Sequence, residues 1–104
     1  MKLSQDQVNS IYVRVTVSPG QEIVLLDVGG RKDIPETESN RNIYRIASDY
    51  SVVWQVDAPP SPHGRDSFVS LEYTDGVLRA DRFFGREYLV DKDSGVAQEI
   101  GWHK

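Results

Sequence analysis

The sequence of 104 residues contains no cysteine. Without cysteine the chain has no disulfide framework, no thiolate nucleophile and no cysteine-ligated metal site, so ordinary apolar packing is the expected stabiliser. Long hydrophobic runs are also missing, and the first residues, MKLSQDQVNSIYV, combine a single lysine with no continuous apolar stretch. We therefore expect neither a signal peptide nor a membrane span, and we predict a cytoplasmic protein.

Motifs for catalysis and cofactor binding are absent as well. His63 and His103 lie forty residues apart, and neither has metal-ligand spacing around it. The stretch DKDSG from Asp91 only faintly matches a calcium loop, because its glycine is one position early and no suitably spaced glutamate follows. Gly29 and Gly30 lack the spacing and the following helix of a phosphate-binding loop. We predict no enzyme activity, no cofactor and no bound metal.

Acidic residues outnumber basic ones by sixteen to twelve, which gives a net charge of −4. Solubility is the simplest explanation, but the balance also opposes non-specific binding to nucleic acid and weakly favours a basic partner. Arg65, Arg79, Arg82 and Arg86 would form a candidate phosphate-binding patch. Acidic residues such as Asp81 are interleaved with them, which is typical of a solvated sheet face. We therefore expect no nucleic-acid partner.

The hydrophobic pattern predicts one all-β domain over residues 1–104. Apolar residues alternate with polar ones from Ile11 to Val17, which is the period of a strand. The run IVLL within Glu22–Val28 predicts a second strand buried on both faces. The stretch SQDQ from Ser4 has a helix-capping pattern. The β-branched run after it would end a helix quickly, so we predict almost no helix.

A hairpin is predicted in SFVSLEYTDGVLRADRFF, where Asp75 and Gly76 form a two-residue loop between alternating strands. A tight turn places Glu72 opposite Arg79, and we expect an exposed ion pair between them that fixes the register. The other predicted partners are Thr74 with Val77, Tyr73 with Leu78, Leu71 with Ala80, and Val69 with Arg82.

Two stretches of the chain repeat each other at a distance of 44 residues: NIYRIASDYSVVWQV from Asn42 and REYLVDKDSGVAQEI from Arg86. Each has the pattern of a hairpin in which an aromatic and a branched aliphatic residue alternate into the core. Because Asp93 and Gly95 recur as Asp49 and Ser51, we interpret DKDSG as a structural turn. The predicted core residues are Tyr44, Ile46, Trp54, Val56, Leu71, Leu78, Tyr88, Val90 and Ile100.

These repeated hairpins resemble the blade motifs of quinoprotein-type β-propellers, whose blades have four strands. They resemble still more closely a loose group of small bacterial proteins with this hairpin pattern, a group that includes immunity proteins. A propeller needs about four to eight blades, and this chain has residues for fewer than two. We therefore predict an antiparallel meander of about seven to eight strands, packed as a two-sheet sandwich with propeller-blade-like hairpins.

Two long polar segments, Gly29–Asn42 and Ala58–Asp66, are predicted to be loops, the second because of its three prolines. Long loops in compact domains are often functional, so we place the partner-binding site on the first. Its candidate residues are Asp33, Glu36 and Glu38. In addition, one of the adjacent Phe83 and Phe84 should point away from the main core and, together with Trp54 or Trp102, could anchor a partner.

Three functions remain open from the sequence. The resemblance and the acidic balance favour a non-enzymatic immunity protein that binds a cognate toxin, such as a basic nuclease. The alternative is a structural or assembly module that pairs through its blade-like sheet. A small hydrolase or nucleic-acid-binding protein is the third, and no catalytic motif supports it. The sequence leaves the oligomeric state undecided.

Overall fold

A computed structural model describes residues 1–102, so His103 lies outside the described residues. Eight strands form two four-stranded antiparallel sheets, each a meander in chain order. The first sheet contains β1 (Ile11–Ser18), β2 (Gln21–Leu26), β3 (Ile43–Ala47) and β4 (Val52–Gln55). The second contains β5 (Phe68–Thr74), β6 (Val77–Arg82), β7 (Arg86–Val90) and β8 (Ala97–Trp102). This arrangement confirms the predicted all-β sandwich.

Two short helices accompany the strands, α1 (Gln5–Asn9) and α2 (Glu36–Ser39). A capping box holds the start of α1, since the hydroxyl of Ser4 accepts from the Gln7 N–H and the Gln7 side chain accepts from the Ser4 N–H. Helix α2 corrects the prediction of an irregular loop, because the Pro35 carbonyl accepts the first N–H bonds of a helical turn. Within the described residues, no helix has the length and apolar character needed to cross a membrane.

The hairpin between β5 and β6 has the predicted two-residue turn. Asp75 and Gly76 have φ angles of 53° and 76°, which is the type I′ conformation that requires positive φ at both positions. Arg79 lies opposite Glu72 as predicted, although its guanidinium forms an ion pair with Glu87 at 3.9 Å. Three further predicted pairs are confirmed: Thr74 with Val77, Tyr73 with Leu78, and Leu71 with Ala80.

The fourth predicted pair, Val69 with Arg82, is wrong because of a β-bulge. Phe68, not Val69, lies opposite Arg82, and the register shifts before Ser70. Beyond the bulge the alternation on β5 is reversed, so Val69 is 41% exposed. Strand β6 keeps its alternation, and Arg82 is buried on the same side as Leu78 and Ala80, at 2% exposed. The interleaving of Arg82 with acidic residues suggested a solvated sheet face. Arg82 is buried instead, so this prediction is wrong for Arg82.

The repeated hairpins share their central pairs, since Tyr44 pairs with Gln55 and Tyr88 with Glu99, 44 residues later. Nearer the turn the registers differ, because Ile46 pairs with Val52 but Val90 pairs with Ala97. Both tyrosines are 1% exposed, but they belong to different clusters. Tyr88 faces the other sheet in the inner core. Tyr44 points to the opposite, outer face of the first sheet. The repeat therefore conserves the central pairs of the hairpin and not the side of the sandwich that it buries.

Strand β2 is buried on both faces, as the IVLL run predicted. Ile23 and Leu25 face the second sheet in the inner core, while Val24 and Leu26 belong to the outer cluster. The outer cluster also contains Leu3 and the partly buried Val8 of α1, so the N-terminal residues cover this face. Eight of the nine predicted core residues are buried.

Ile100 is the exception in the predicted core, with 41% of its surface exposed. A register shift on β8 makes Gly101 the partner of Glu87 and Glu99 the partner of Tyr88, which leaves Ile100 as the extra residue between them. An extra residue in a bulge has no partner and breaks the alternation of faces. Its counterpart in the first hairpin, Val56, is fully buried.

The turn DKDSG connects β7 to β8 and contacts the first sheet. The Asp91 carboxylate accepts from the backbone N–H groups of Asp93 and Ser94, which also lowers its pKa. The Lys92 carbonyl accepts from the Trp54 indole at 2.9 Å and from the guanidinium of Arg45 at 2.8 Å. The turn therefore has a structural role, in agreement with its interpretation from the repeat.

A single connection, residues 56–67, joins the two sheets. The buried Asn42 holds its far end, because its side chain accepts from the Phe68 N–H and donates to the carbonyls of Phe68 and Leu26. Asn40 binds the connection in the same way, donating to the Gly64 carbonyl and accepting from the Asp66 N–H. These asparagines satisfy backbone groups of the connection and of the adjoining ends of β2 and β5.

Candidate partner-binding site

The three predicted carboxylates lie on the connection between β2 and β3. This connection crosses the outer face of the first sheet, where the partly buried Ile34 packs against the outer cluster. Helix α2 follows directly, and its Ser39 is buried. Asp33, Glu36 and Glu38 are all exposed, so the sequence placed them correctly on the surface. Their surroundings, however, differ.

Asp33 is engaged by arginine. Its two carboxylate oxygens accept from Arg31 Nε at 2.9 Å and Nη2 at 2.8 Å, and the same guanidinium bonds Asp6 of α1 at 3.0 Å. The hydrogen bonds from Arg31 lower the pKa of Asp33 to about 2. Asp33 therefore helps to fix the connection to α1, and its charge is already partly neutralised.

Glu36 and Glu38 make no ion pair within residues 1–102. Glu36 lies beside Gly64 of the proline-rich segment and lines a cavity of about 220 Å³. Glu38 lines a second cavity, of about 360 Å³, between α1, the connection and the outer face of the first sheet. These two side chains therefore present uncompensated negative charge to solvent.

The cavity beside Glu38 has walls of mixed character. Leu26, Val28 and Ile34 supply apolar surface, while the hydroxyl of Tyr44 supplies a polar group. Asp6 and Gln7 of α1 complete one side. A cavity with apolar walls and a few polar groups is the usual form of a binding site in proteins.

Tyr44 lines this cavity, and two glutamine side chains hold its hydroxyl. The hydroxyl oxygen accepts from Gln7 Nε2 at 3.4 Å and from Gln55 Nε2 at 3.0 Å. Both amides are oriented by second bonds, Gln7 by the capping box and Gln55 by the Arg41 carbonyl. Burial, and then the charge of Glu38, raise the pKa of Tyr44 to about 12. The phenol therefore stays protonated at neutral pH and acts as a hydrogen-bond donor.

Sequence reasoning missed a second polar centre, the guanidinium of Arg82. It donates to the carbonyls of Pro59 and Asn40 at 2.7 and 2.9 Å and to the Tyr88 hydroxyl at 3.0 Å. The rings of Phe68 and Tyr88 lie about 5 Å from its central carbon. This arrangement ties the connection between the sheets to the inner core. The alternation of Leu78, Ala80 and Arg82 along β6 could have indicated that Arg82 is buried.

The remaining candidates from the sequence are separated. Trp54 is buried, whereas Trp102 and Phe83 are 59% and 68% exposed. Phe83 and Phe84 lie in the turn after β6 and not within a strand, and the exposed His63 stacks on Phe84 at 4.5 Å. Among the described residues, no group of three His, Cys, Asp or Glu side chains is arranged to hold a metal ion.

A family model described as a domain of unknown function, DUF7957, matches residues 13–102. The chain belongs to this family. No curated protein and no solved structure matches the chain. The DUF7957 match extends from β1 to the end of β8 and includes the connection with Asp33, Glu36 and Glu38. It does not include α1, which contributes Asp6 and Gln7 to the cavity.

Proposed function

We propose that this DUF7957 protein is a non-enzymatic binding protein, most specifically an immunity protein that inhibits a cognate bacterial toxin by direct binding in the cytoplasm. The main supporting observation is Glu38, an exposed carboxylate without an ion pair in residues 1–102 that lines a cavity with apolar walls. The resemblance of the repeated hairpins to small bacterial proteins that include immunity proteins supports the same proposal.

A lysine or arginine side chain of the partner matches this cavity. Such a side chain has a long aliphatic stem that packs on apolar surface and a charged head. The stem would contact Leu26 and Val28, and the head would reach Glu38. The hydroxyl of Tyr44, which already accepts two bonds, would donate to a backbone carbonyl of the partner.

A nuclease is a fitting toxin, because it needs positive charge to hold a phosphate backbone. An inhibitor that presents carboxylates at that surface gains both association rate and specificity. Glu36 and Glu38 are available for this role, and Asp33 contributes less because Arg31 already binds it. Close charge pairs at protein interfaces couple by about 1.5 to 7 kcal/mol.

The test uses the product of the adjacent reading frame as the candidate toxin, with binding and protection of cells as readouts. We expect Glu38→Lys to raise the Kd at least about tenfold, which corresponds to about 1.4 kcal/mol. Reversal of Asp33, Glu36 and Glu38 together should weaken protection by orders of magnitude while the fold stays intact. The matched control is Glu72→Lys, an exposed reversal on the second sheet.

Two results would contradict the proposal in different ways. If the triple reversal protects as well as the parent and Glu72→Lys, the partner does not bind the connection between β2 and β3. If the adjacent reading frame encodes no toxin and its product does not bind the parent protein, the immunity function itself is wrong.

A second candidate function is assembly through the edge of the blade-like sheet. β8 lies at the end of the strand order of the second sheet, and its Ile100 and Trp102 are 41% and 59% exposed. An exposed edge strand can pair with another strand. Concentration-dependent association in light scattering that Ile100→Lys abolishes would support this alternative, and a strict monomer at high concentration would exclude self-assembly.

A further inference from the structure

The most exposed aromatic ring in the described part of the chain belongs to Phe83, at 68%. Its backbone is held firmly, because the Phe83 N–H donates to the Ser67 carbonyl and the Phe84 N–H donates to the buried Asp66 carboxylate, both at 2.9 Å. The ring of Phe83 also meets that of Phe84 edge to face at 5.1 Å. The turn therefore presents this ring to solvent from a fixed backbone.

Two other exposed apolar side chains lie beside Phe83. Tyr12 of β1 and Val69 of the β5 bulge, at 57% and 41% exposed, line one groove of about 300 Å³ together with Phe83. The Tyr12 hydroxyl donates to the Val69 carbonyl and so fixes these two residues relative to each other. Side chains from β1, β5 and the turn after β6 thus form one apolar surface, and exposed apolar patches often mark interaction sites.

Cations lie on the other side of Phe83. A second groove, of about 260 Å³, is lined by Phe83, Arg31, Lys32 and Arg65. Arg31 is paired with Asp33, whereas Lys32 and Arg65 have no ion pair within residues 1–102. The Arg65 guanidinium donates to the Arg31 carbonyl at 3.3 Å. This side of Phe83 therefore carries positive charge on an otherwise acidic chain.

We propose that Phe83, Tyr12, Val69, Lys32 and Arg65 form a second docking surface, which binds an acidic segment of a protein partner. An apolar side chain of that segment packs against Phe83 and Tyr12, and its carboxylates pair with Lys32 and Arg65. Aromatic residues in apolar surroundings are typical interface anchors, and complementary charges give specificity. This surface adjoins the Glu38 cavity at Val28, and it does not depend on the immunity proposal.

A single-stranded nucleic acid is the competing occupant, because it also combines stacking with negative charge. The net charge of −4 opposes a polyanion. Two aspartates add negative charge to this surface. Asp27 lines the same groove as Tyr12. Asp33 lies near Arg65, whose positive charge contributes to lowering the pKa of Asp33. A segment with a few carboxylates fits this mixture better than a continuous phosphate backbone does.

The test uses the full chain and a short synthetic peptide in which aspartate and glutamate flank one tryptophan. NMR titration should show binding with a Kd of about 1 mM or tighter, with shifts concentrated at Phe83, Lys32 and Arg65. The single variant Phe83→Ser should weaken binding at least about tenfold, which is about 1.4 kcal/mol. A double variant that combines Lys32→Glu with Arg65→Glu should weaken binding by at least the same factor. Val53→Ser, which removes an apolar side chain that is 49% exposed on β4, is the matched control.

Several outcomes would overturn the proposal. No binding of the peptide at millimolar concentration excludes the surface. Equal binding after Phe83→Ser, or by a peptide with serine in place of tryptophan, removes the apolar anchor. Tighter binding of an oligothymidylate than of the peptide would identify a nucleic-acid site instead. The spectra of the variants must keep the dispersion of the parent, which separates lost binding from lost folding.

Discussion

Gly95 provides the sharpest prediction about stability. It lies in the turn between β7 and β8 with φ of 81°, a backbone conformation that residues other than glycine rarely adopt. A Cβ atom at this position would lie 2.6 Å from Cδ2 and 2.7 Å from Cε3 of the Trp54 indole. The ring packs directly on the glycine, and Trp54 belongs to the inner core. Gly95→Ala should therefore be strongly destabilising.

The cost has two parts. Placing alanine at this φ costs about 1 to 2 kcal/mol. The indole must also move, because carbon atoms prefer separations of about 3.5 to 4.0 Å, and overpacking a core typically costs about 1 to 3 kcal/mol. Gly76 is the matched control, since its φ is 76° and a Cβ there would have nothing within 4 Å. We expect Gly95→Ala to cost about 2 to 5 kcal/mol and Gly76→Ala about 1 to 2 kcal/mol.

Urea unfolding followed by tryptophan fluorescence measures both costs. A Trp102→Phe background leaves Trp54 as the reporter. The excess cost of Gly95→Ala should largely disappear when Trp54 is replaced by valine and unfolding is followed by circular dichroism, because the space above the glycine is then open. If Gly95→Ala and Gly76→Ala destabilise the protein equally, the packing of Trp54 on this turn is wrong.

Two further predictions concern the packing of the two clusters and the ionisation of Tyr44. Ile46 lies in the outer cluster and Val90 in the inner core. Replacing either residue by alanine should reduce the free energy of unfolding by about 1 to 4 kcal/mol. Losses below about half a kcal/mol for both variants would exclude the packing described. The raised pKa of Tyr44 favours the folded state fully below about pH 10, and this stabilisation should be lost as the pH rises toward 12. Tyr44→Phe should remove that alkaline decline, which the pH dependence of unfolding measures, and an unchanged profile would show that Tyr44 does not cause it.

The fold could be predicted where local rules determine it. Asp75 and Gly76 define a type I′ turn from two residues, and the repeat gave the paired hairpins, because both signals depend on neighbours in sequence. Ile100 and Val69 were placed on the wrong face, since a bulge on β8 and another on β5 shift the register. A bulge adds one residue without a distinctive sequence pattern, and every later side chain changes face.

The candidate site was predictable only in part. The acidic residues of the connection were recognisable from composition and length. The cavity beside Glu38 was not, because its lining comes from α1, the connection and Tyr44, which are distant in sequence. Two signals taken together could have suggested it: the capping pattern at Ser4 and the double burial of the IVLL run. A strand buried on its outer face needs a covering element, and α1 was the nearest one available.

The meander order has a consequence for how the chain can be divided. Residues 11–55 make one sheet and residues 68–102 the other, so the polypeptide crosses between the layers only once. Two separate fragments, cut within the proline-rich crossing, would each contain a whole layer and should reassemble on mixing. For the same reason, two full-length copies can exchange layers and form an intertwined dimer with native cores. Asn40 is hydrogen-bonded to Gly64 and Asp66, and Asn42 to Phe68. These bonds oppose the exchange because they hold the connection between the sheets in place.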